Sequence, residues 1–198
     1  MGHEDERLER WLSALLATPG LTAIADPQDA RRVHLEASLA ALAVLGPYGG
    51  SIIDVGSGGG APGIPLAAAL PERDVVLLEA NRRKFEFLAQ VARDFPNVSV
   101  VRGRAEEQPT DVHGVAVAKA LAPPPVAAEW CLPLVHRGGA VVLFVGPSAD
   151  VAGVARVAER LGGGEPKKHG GLLVLPKIAP TPAGFPRRPG MAKKRPLV

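Results

Sequence analysis

Apolar positions 8, 11, 12, 15 and 16 recur at helical spacing and predict a first helix over 7–16, broken by Thr18-Pro19-Gly20. A second helix is expected from 27 or 28 to 45, capped by Asp26 and stopped by Gly46-Pro47. From Ser51 the rhythm changes. Ser51-Ile52-Ile53-Asp54-Val55 is a short β-rich run that leads straight into glycines. A helix over 63–70 follows, then a strand over 75–79, a helix over 82–94 and a strand over 98–102. The pattern continues with a strand at 115–118, a helix at 125–135 and a strand at 140–145. A helix at 151–161 stops at Gly162-Gly163-Gly164, and 172–175 reads as a last strand. The Pro-rich basic remainder is expected to lie extended over the surface.

Short apolar strands alternating with helices imply an α/β fold whose parallel sheet is covered on both faces. Ligands on such sheets bind at the carboxyl ends of the strands, so chemistry is expected just after Val55, Leu78, Arg102, Ala118 and Phe144. The 198 residues suit one domain. Its expected parts are an N-terminal helical extension (1–46), a core (47–176) and a C-terminal tail (177–198).

Composition narrows the function. Hydrophobic residues at 46% imply a globular chain, and aromatics at 4% disfavour a protein that grips bases mainly by stacking. No apolar run approaches the roughly 18 residues of a membrane span. The acidic opening Met1-Gly2-His3-Glu4-Asp5-Glu6 has no signal-peptide core and no Ser or Thr at position 6 for myristoylation. The lone cysteine, Cys131 beside Trp130, rules out an internal disulfide and reads as a small core residue in a reducing cytoplasm. His3, His34, His113, His136 and His169 are scattered, without metal-ligand spacing. Net charge is +3 but uneven. Eight cations and no acid follow Glu165 (Lys167, Lys168, Lys177, Arg187, Arg188, Lys193, Lys194, Arg195), against 15 basic and 20 acidic residues before. That asymmetry points to a polyanion contact near the C-terminus.

The densest chemical signal is Asp54-Val55-Gly56-Ser57-Gly58-Gly59-Gly60-Ala61-Pro62-Gly63. Glycines let the backbone turn sharply and a ligand approach without obstruction, while exposed N–H groups form a polar cradle. Gly56-x-Gly58-x-x-Ala61 also fits a dinucleotide fingerprint, so an NAD-dependent oxidoreductase is a rival. Two carboxylates favour S-adenosylmethionine. Asp54 can engage its amino-acid part, and Glu79, ending the second strand, can accept both ribose hydroxyls. Ala105 and Glu106, after the third strand, sit where the adenine edge would lie. After the fourth strand Lys119 would face cofactor and substrate. The following Ala120-Leu121-Ala122-Pro123 lacks the aromatic often found where exocyclic amines are methylated.

These residues resemble the 16S rRNA guanine-N7 methyltransferase family (methyltransferase G, also called glucose-inhibited division protein B). The resemblance runs through Ala61-Pro62-Gly63-Ile64-Pro65-Leu66, Leu78-Glu79, Lys84-Phe85, Gly103-Arg104-Ala105-Glu106-Glu107, Ala120-Leu121-Ala122-Pro123 and Thr181-Pro182 with Phe185-Pro186-Arg187. It covers nearly the whole chain. It implies a class I methyltransferase fold, S-adenosylmethionine as cofactor, and N7-methylation of one guanine in small-subunit rRNA by a cytoplasmic monomer. The implied cofactor residues are Asp54, Gly56, Ser57, Gly58, Ala61, Glu79, Ala105, Glu106 and Lys119, with Lys119 also placed at the reacting groups. The implied RNA contacts are Arg104, Lys168, Arg187, Arg188, Lys193, Lys194 and Arg195. The chain departs from the family pattern at Ala37, Lys119, Val145-Gly146 and Gly170-Gly171, the last three being positions where the family carries an arginine or a lysine. Guanine N7 has a free lone pair, so its methylation needs no general base. Alternatives are a small-molecule methyltransferase and a degenerate homologue that binds cofactor or RNA without turnover.

Overall fold

Seven strands join in one mixed sheet of order β3-β2-β1-β4-β5-β7-β6. The computed structural model describes residues 5–198, so Met1-Gly2-His3-Glu4 lies outside the described residues. The strands are β1 (Ile52–Val55), β2 (Val75–Glu79), β3 (Val98–Arg102), β4 (His113–Lys119), β5 (Val135–Phe144), β6 (Lys167–His169) and β7 (Leu172–Pro176). β1 through β5 pair in parallel. Alternate residues of the central strands point to opposite faces, as the period of two requires. Ile52, Val75, Leu77, Val115 and Val117 enter one core with Trp11 of α1 (Glu6–Ala17), Ile64 and Leu66 of α5 (Gly63–Ala69) and Leu88 of α6 (Arg82–Val91). Ile53, Val55, Leu78, Ala116 and Ala118 enter the other with α7 (Pro124–Cys131) and α8 (Val151–Arg160).

Three expectations are corrected. The sheet is not wholly parallel: β7 runs antiparallel to β5, and β6, a strand the apolar pattern does not show, forms a hairpin with it. Gly170, at φ +58°, supplies the left-handed turn between them. β6 reads Lys167-Lys168-His169, wholly exposed, so it has no buried face to register in the sequence.

The single helix expected over 27–45 is broken. Asp26 does cap its start, accepting from Asp29 N at 2.8 Å. α2 (Pro27–Ala30) then passes into a π-helical turn, Arg31–Glu36, before α3 (Ala37–Leu39) and α4 (Leu42–Leu45). Ala37 N–H reaches back five residues to Arg32 O instead of four to Val33 O.

The C-terminal segment is not an extended surface tail. Lys177 is buried, and its Nζ donates to Leu132 O at 3.0 Å, Leu161 O at 2.9 Å and Thr181 Oγ1 at 2.9 Å. Asp111 lies 3.6 Å away and offsets the charge. Arg187 grips buried Glu129 with two bonds, of 2.6 and 2.7 Å. Ala192, in α9 (Met191–Lys194), is buried in the α7 and α8 core.

Removing one partner of a buried ion pair strands the other charge. Arg187→Ala is therefore expected to cost roughly 3–5 kcal/mol of unfolding free energy. Arg188→Ala, at an exposed neighbour, is expected to stay within about 0.5 kcal/mol. Urea titration of the two variants measures the contrast; equal losses would mean that the Glu129 pair does not hold the segment.

Candidate active site

The strand order reverses between β1 and β4, which opens a crevice at their carboxyl ends. The glycine loop leaves β1 into this crevice. Gly56 N and Ser57 N donate to Leu78 O at 2.8 and 3.1 Å, so the loop hangs on the end of β2. Ser57 Oγ donates to Asp54 O at 2.8 Å, and Asp54 Oδ2 accepts from Gly63 N at 2.9 Å. Gly56 and Gly58 have φ of +72° and +57°, which glycine adopts without strain. A Cβ on Gly58 would meet only Gly56 O, at 3.8 Å, so this position faces open space.

Asp54 is buried and its Oδ1 has no hydrogen-bond partner. Desolvation pushes its carboxyl up to about 7; the bonds from Gly63 and Ser57 oppose the rise, and the charge of Glu79 adds to it. Glu79 Oε2 accepts from Gly58 N at 2.9 Å and Oε1 from Asn81 N at 2.7 Å. Each of these oxygens keeps a lone pair for a further donor.

Lys119 ends β4. Its ammonium donates to Val33 O, the carbonyl that the π-helical turn releases, and lies 6.0 Å from the centre of the Phe144 ring. Burial lowers its pKa, and the nearby Asp54 charge opposes that shift. His34, on the same π turn, is held by Thr22 Oγ1 at 2.9 Å, and burial followed by the Lys119 charge lowers its pKa. π turns recur at functional sites.

Three cavities line up along the crevice. The first, about 260 Å³, is bounded by Glu79, Arg104, Ala105, Glu106, Trp130 and Lys193. The second, about 200 Å³, is bounded by Gly56, Ser57, Gly58, Ala61, His34 and Lys119, and Lys84 reaches both. The third, about 910 Å³, is bounded by Lys119, Phe144, Val145, His169, Gly170 and Leu172. Ala120 borders all three and is itself left-handed, at φ +52°.

The structure thus brings together Gly56, Ser57, Gly58, Ala61, Glu79, Ala105, Glu106, Lys119 and Arg104. Asp54 lies beneath the loop, lining none of the three. Lys168 is exposed beside the third cavity, next to His169. Arg188, Lys194 and Arg195 are exposed outside the cavities. Arg187, expected at phosphate, is instead engaged by Glu129. Sequence reasoning missed His34, Lys84 and Trp130 as lining residues and placed Lys193 at RNA. The Lys84-Phe85 element was visible as a motif; the other placements depend on tertiary contacts. The departures at Ala37, Lys119, Val145-Gly146 and Gly170-Gly171 all border the third cavity.

Residues 5–154 match the family model described as rRNA small subunit methyltransferase G. A ribosomal RNA small subunit methyltransferase G of Synechococcus sp. strain JA-3-3Ab is 35% identical over 98% of this chain and 85% of its own length. The protein of that name from Salinispora tropica is 38% identical over 92% of this chain and 84% of its own. Among solved structures, a protein of Agrobacterium tumefaciens described as a predicted O-methyltransferase aligns with TM-score 0.58 at 18% identity, over 70% of this chain and 78% of its own. The T. thermophilus 16S rRNA N2 methyltransferase, solved with AdoMet and guanosine, aligns with TM-score 0.54 at 18% identity, over 77% of this chain and 41% of its own. The chain belongs to the rRNA small subunit methyltransferase G family, on the class I S-adenosylmethionine-dependent methyltransferase fold.

Asp54 gives a pH test. Its carboxyl titrates near 3.8 when unfolded and near about 7 in the fold, so between these values the folded chain holds the extra proton. Stability from this group is therefore present below about pH 4 and is lost as pH rises to about 7, by a few kcal/mol. The melting-temperature advantage of the ligand-free protein over Asp54→Asn should shrink between about pH 5 and about pH 8. A constant gap would show that Asp54 does not titrate in this window.

Proposed function

We propose that this family member transfers the methyl group of S-adenosylmethionine to N7 of one guanine in small-subunit 16S rRNA, acting as a monomer in the cytoplasm. The observation that carries the reading is the row of three cavities meeting at Ala120, at the crevice where β1 and β4 part. The residues suit the cofactor. Glu79 offers two acceptor oxygens to ribose hydroxyls beside Ala105 and Glu106 in the first cavity. The glycine loop leaves room at Gly58 in the second, and beneath it Asp54 Oδ1 is an acceptor without a donor. An ionised Asp54 would also complement the positive charge of the amino-acid end.

Bound S-adenosylmethionine supplies a methyl group already made electrophilic by a positively charged sulfur. The chain's task is then to orient the acceptor and exclude water. The third cavity receives the acceptor base, with Lys119 at its border with the second as the donor available to an acceptor atom of that base. Among its lining residues only Lys119 and His169 can carry positive charge. N7 needs no proton removed, which agrees with a third cavity that has no carboxylate in its lining. The names of the relatives support small-subunit rRNA as the substrate. The sparse charge of the third cavity favours a second reading, a homologue that binds cofactor without RNA turnover.

Gly58→Leu should abolish S-adenosylhomocysteine binding in calorimetric titration, and Glu79→Gln should weaken it by roughly 1–3 kcal/mol. Full affinity in both folded variants would remove the site.

For the reaction, undermethylated small subunits incubated with the protein and S-adenosylmethionine should become cleavable by N7-specific chemistry at one guanine. Lys119→Ala should lose that cleavage. Cofactor binding without methylation of subunits or naked rRNA would leave the second reading in place.

A further inference from the structure

The cations after Glu165 divide by what they face. Lys177 and Arg187 are held internally. Lys167, Lys168, Arg188, Lys194 and Arg195 are exposed. Lys193, exposed like these, is set apart by what it touches: its Nζ lies 5.2 Å above the Trp130 ring, and both residues line the first cavity. Three residues earlier, Gly190 N–H donates to Glu106 Oε1 at 3.0 Å. Gly190 has φ +81°, a conformation that lets the chain turn there and that a residue with a side chain would strain against. Between them Ala192 is buried. The segment is fastened upstream at Glu129 by Arg187, so consecutive residues of α7, Glu129 and Trp130, hold its two ends.

We propose that residues 187–195 form a two-sided wall. Lys193 closes the first cavity on its inner side, with Gly190 fastened to Glu106 of its lining, and Arg188, Lys194 and Arg195 present positive charge to RNA phosphate on the outer side. This rests on the reading of the first cavity as the adenosine end of the cofactor site. Lys193 is then a cofactor-site residue, and cofactor and RNA affinities are coupled through one short stretch of chain. Reciprocity follows: if bound cofactor orders the wall and so tightens RNA binding, bound RNA tightens cofactor binding by the same factor. Trp130 Nε1 is a further mark of this place. It is buried without an acceptor, so its donor is unsatisfied while the wall stands as described.

The test uses the full chain. Trypsin can cut after Lys193 and Lys194, and saturating S-adenosylhomocysteine should slow those cuts by about 5-fold or more, the low end of typical site-to-site coupling. The ligand should also tighten binding to naked 16S rRNA by about 5-fold or more at fixed salt. Lys193→Met, which keeps the side-chain stem, should weaken S-adenosylhomocysteine binding and reduce the coupling. Binding of S-adenosylhomocysteine without protection of the cuts, without an effect on RNA affinity, or with equal affinity in Lys193→Met would overturn the wall and leave the methyltransferase reading intact. Failure of the unaltered protein to bind S-adenosylhomocysteine would overturn both.

Discussion

A buried hydrogen bond from Gly63 N–H to the Asp54 carboxylate closes the loop on which the crevice is built. It joins the end of β1 to the first turn of α5 across nine residues of chain. The backbone between them is confined from both sides. A Cβ on Gly63 would stand 2.3 Å from Leu77 Cδ2, one on Gly60 2.9 Å from Ile64 Cγ1, and one on Gly59 2.4 Å from Leu15 Cδ1. Trp11 Nε1 donates to Gly59 O at 2.8 Å, so α1 holds the loop from above while the sheet holds it from below. The N-terminal helix is therefore structural support for the crevice, and the glycines are needed for close packing as well as for ligand access.

Charge is arranged along the crevice in a graded way. Glu79 lines the first cavity, Asp54 lies beneath the loop that bounds the second, Lys119 stands at the boundary of the second and third, and no carboxylate lines the third. Asp54 and Lys119 influence each other through their charges, each favouring the charged form of the other against desolvation. Lys119 stays in place because a π turn leaves the Val33 carbonyl without its usual helical partner. A small irregularity in helix register thus positions a cation eighty-six residues away in sequence.

Much of this was legible in the chain. β2 and β3 fall where the apolar runs placed them, because parallel strands are short, β-branched and bounded by turn residues, whether buried like β2 or at the sheet edge like β3. The glycine loop and Glu79 were legible because their chemistry is local. The direction of β7 was not, since periodicity reports a strand without its orientation. The π turn was not, because helical periodicity marks a helix without showing where a backbone bond reaches back five residues instead of four. Nor was the division of the C-terminal cations: a sequence count treats Lys177, Arg187 and Lys193 alike. Their fates are decided by Asp111, Glu129 and Trp130, brought near only by the fold.

The antiparallel course of β7 bears on how the protein comes into being. After Pro176 the chain is at the end of the sheet opposite the crevice, and residues 177–190 carry it back along the α7 side to meet Glu106. Synthesis proceeds from the N-terminus, so β1 to β5 emerge and can pair before this return segment exists. The nascent protein would pass through a stage with its sheet paired but the first cavity still open along one side. The partners joined last, Glu106 with Gly190 and Glu129 with Arg187, are 84 and 58 residues apart. A ribosome making this enzyme thus has to deliver residues 187–193 before the pocket can take its final shape.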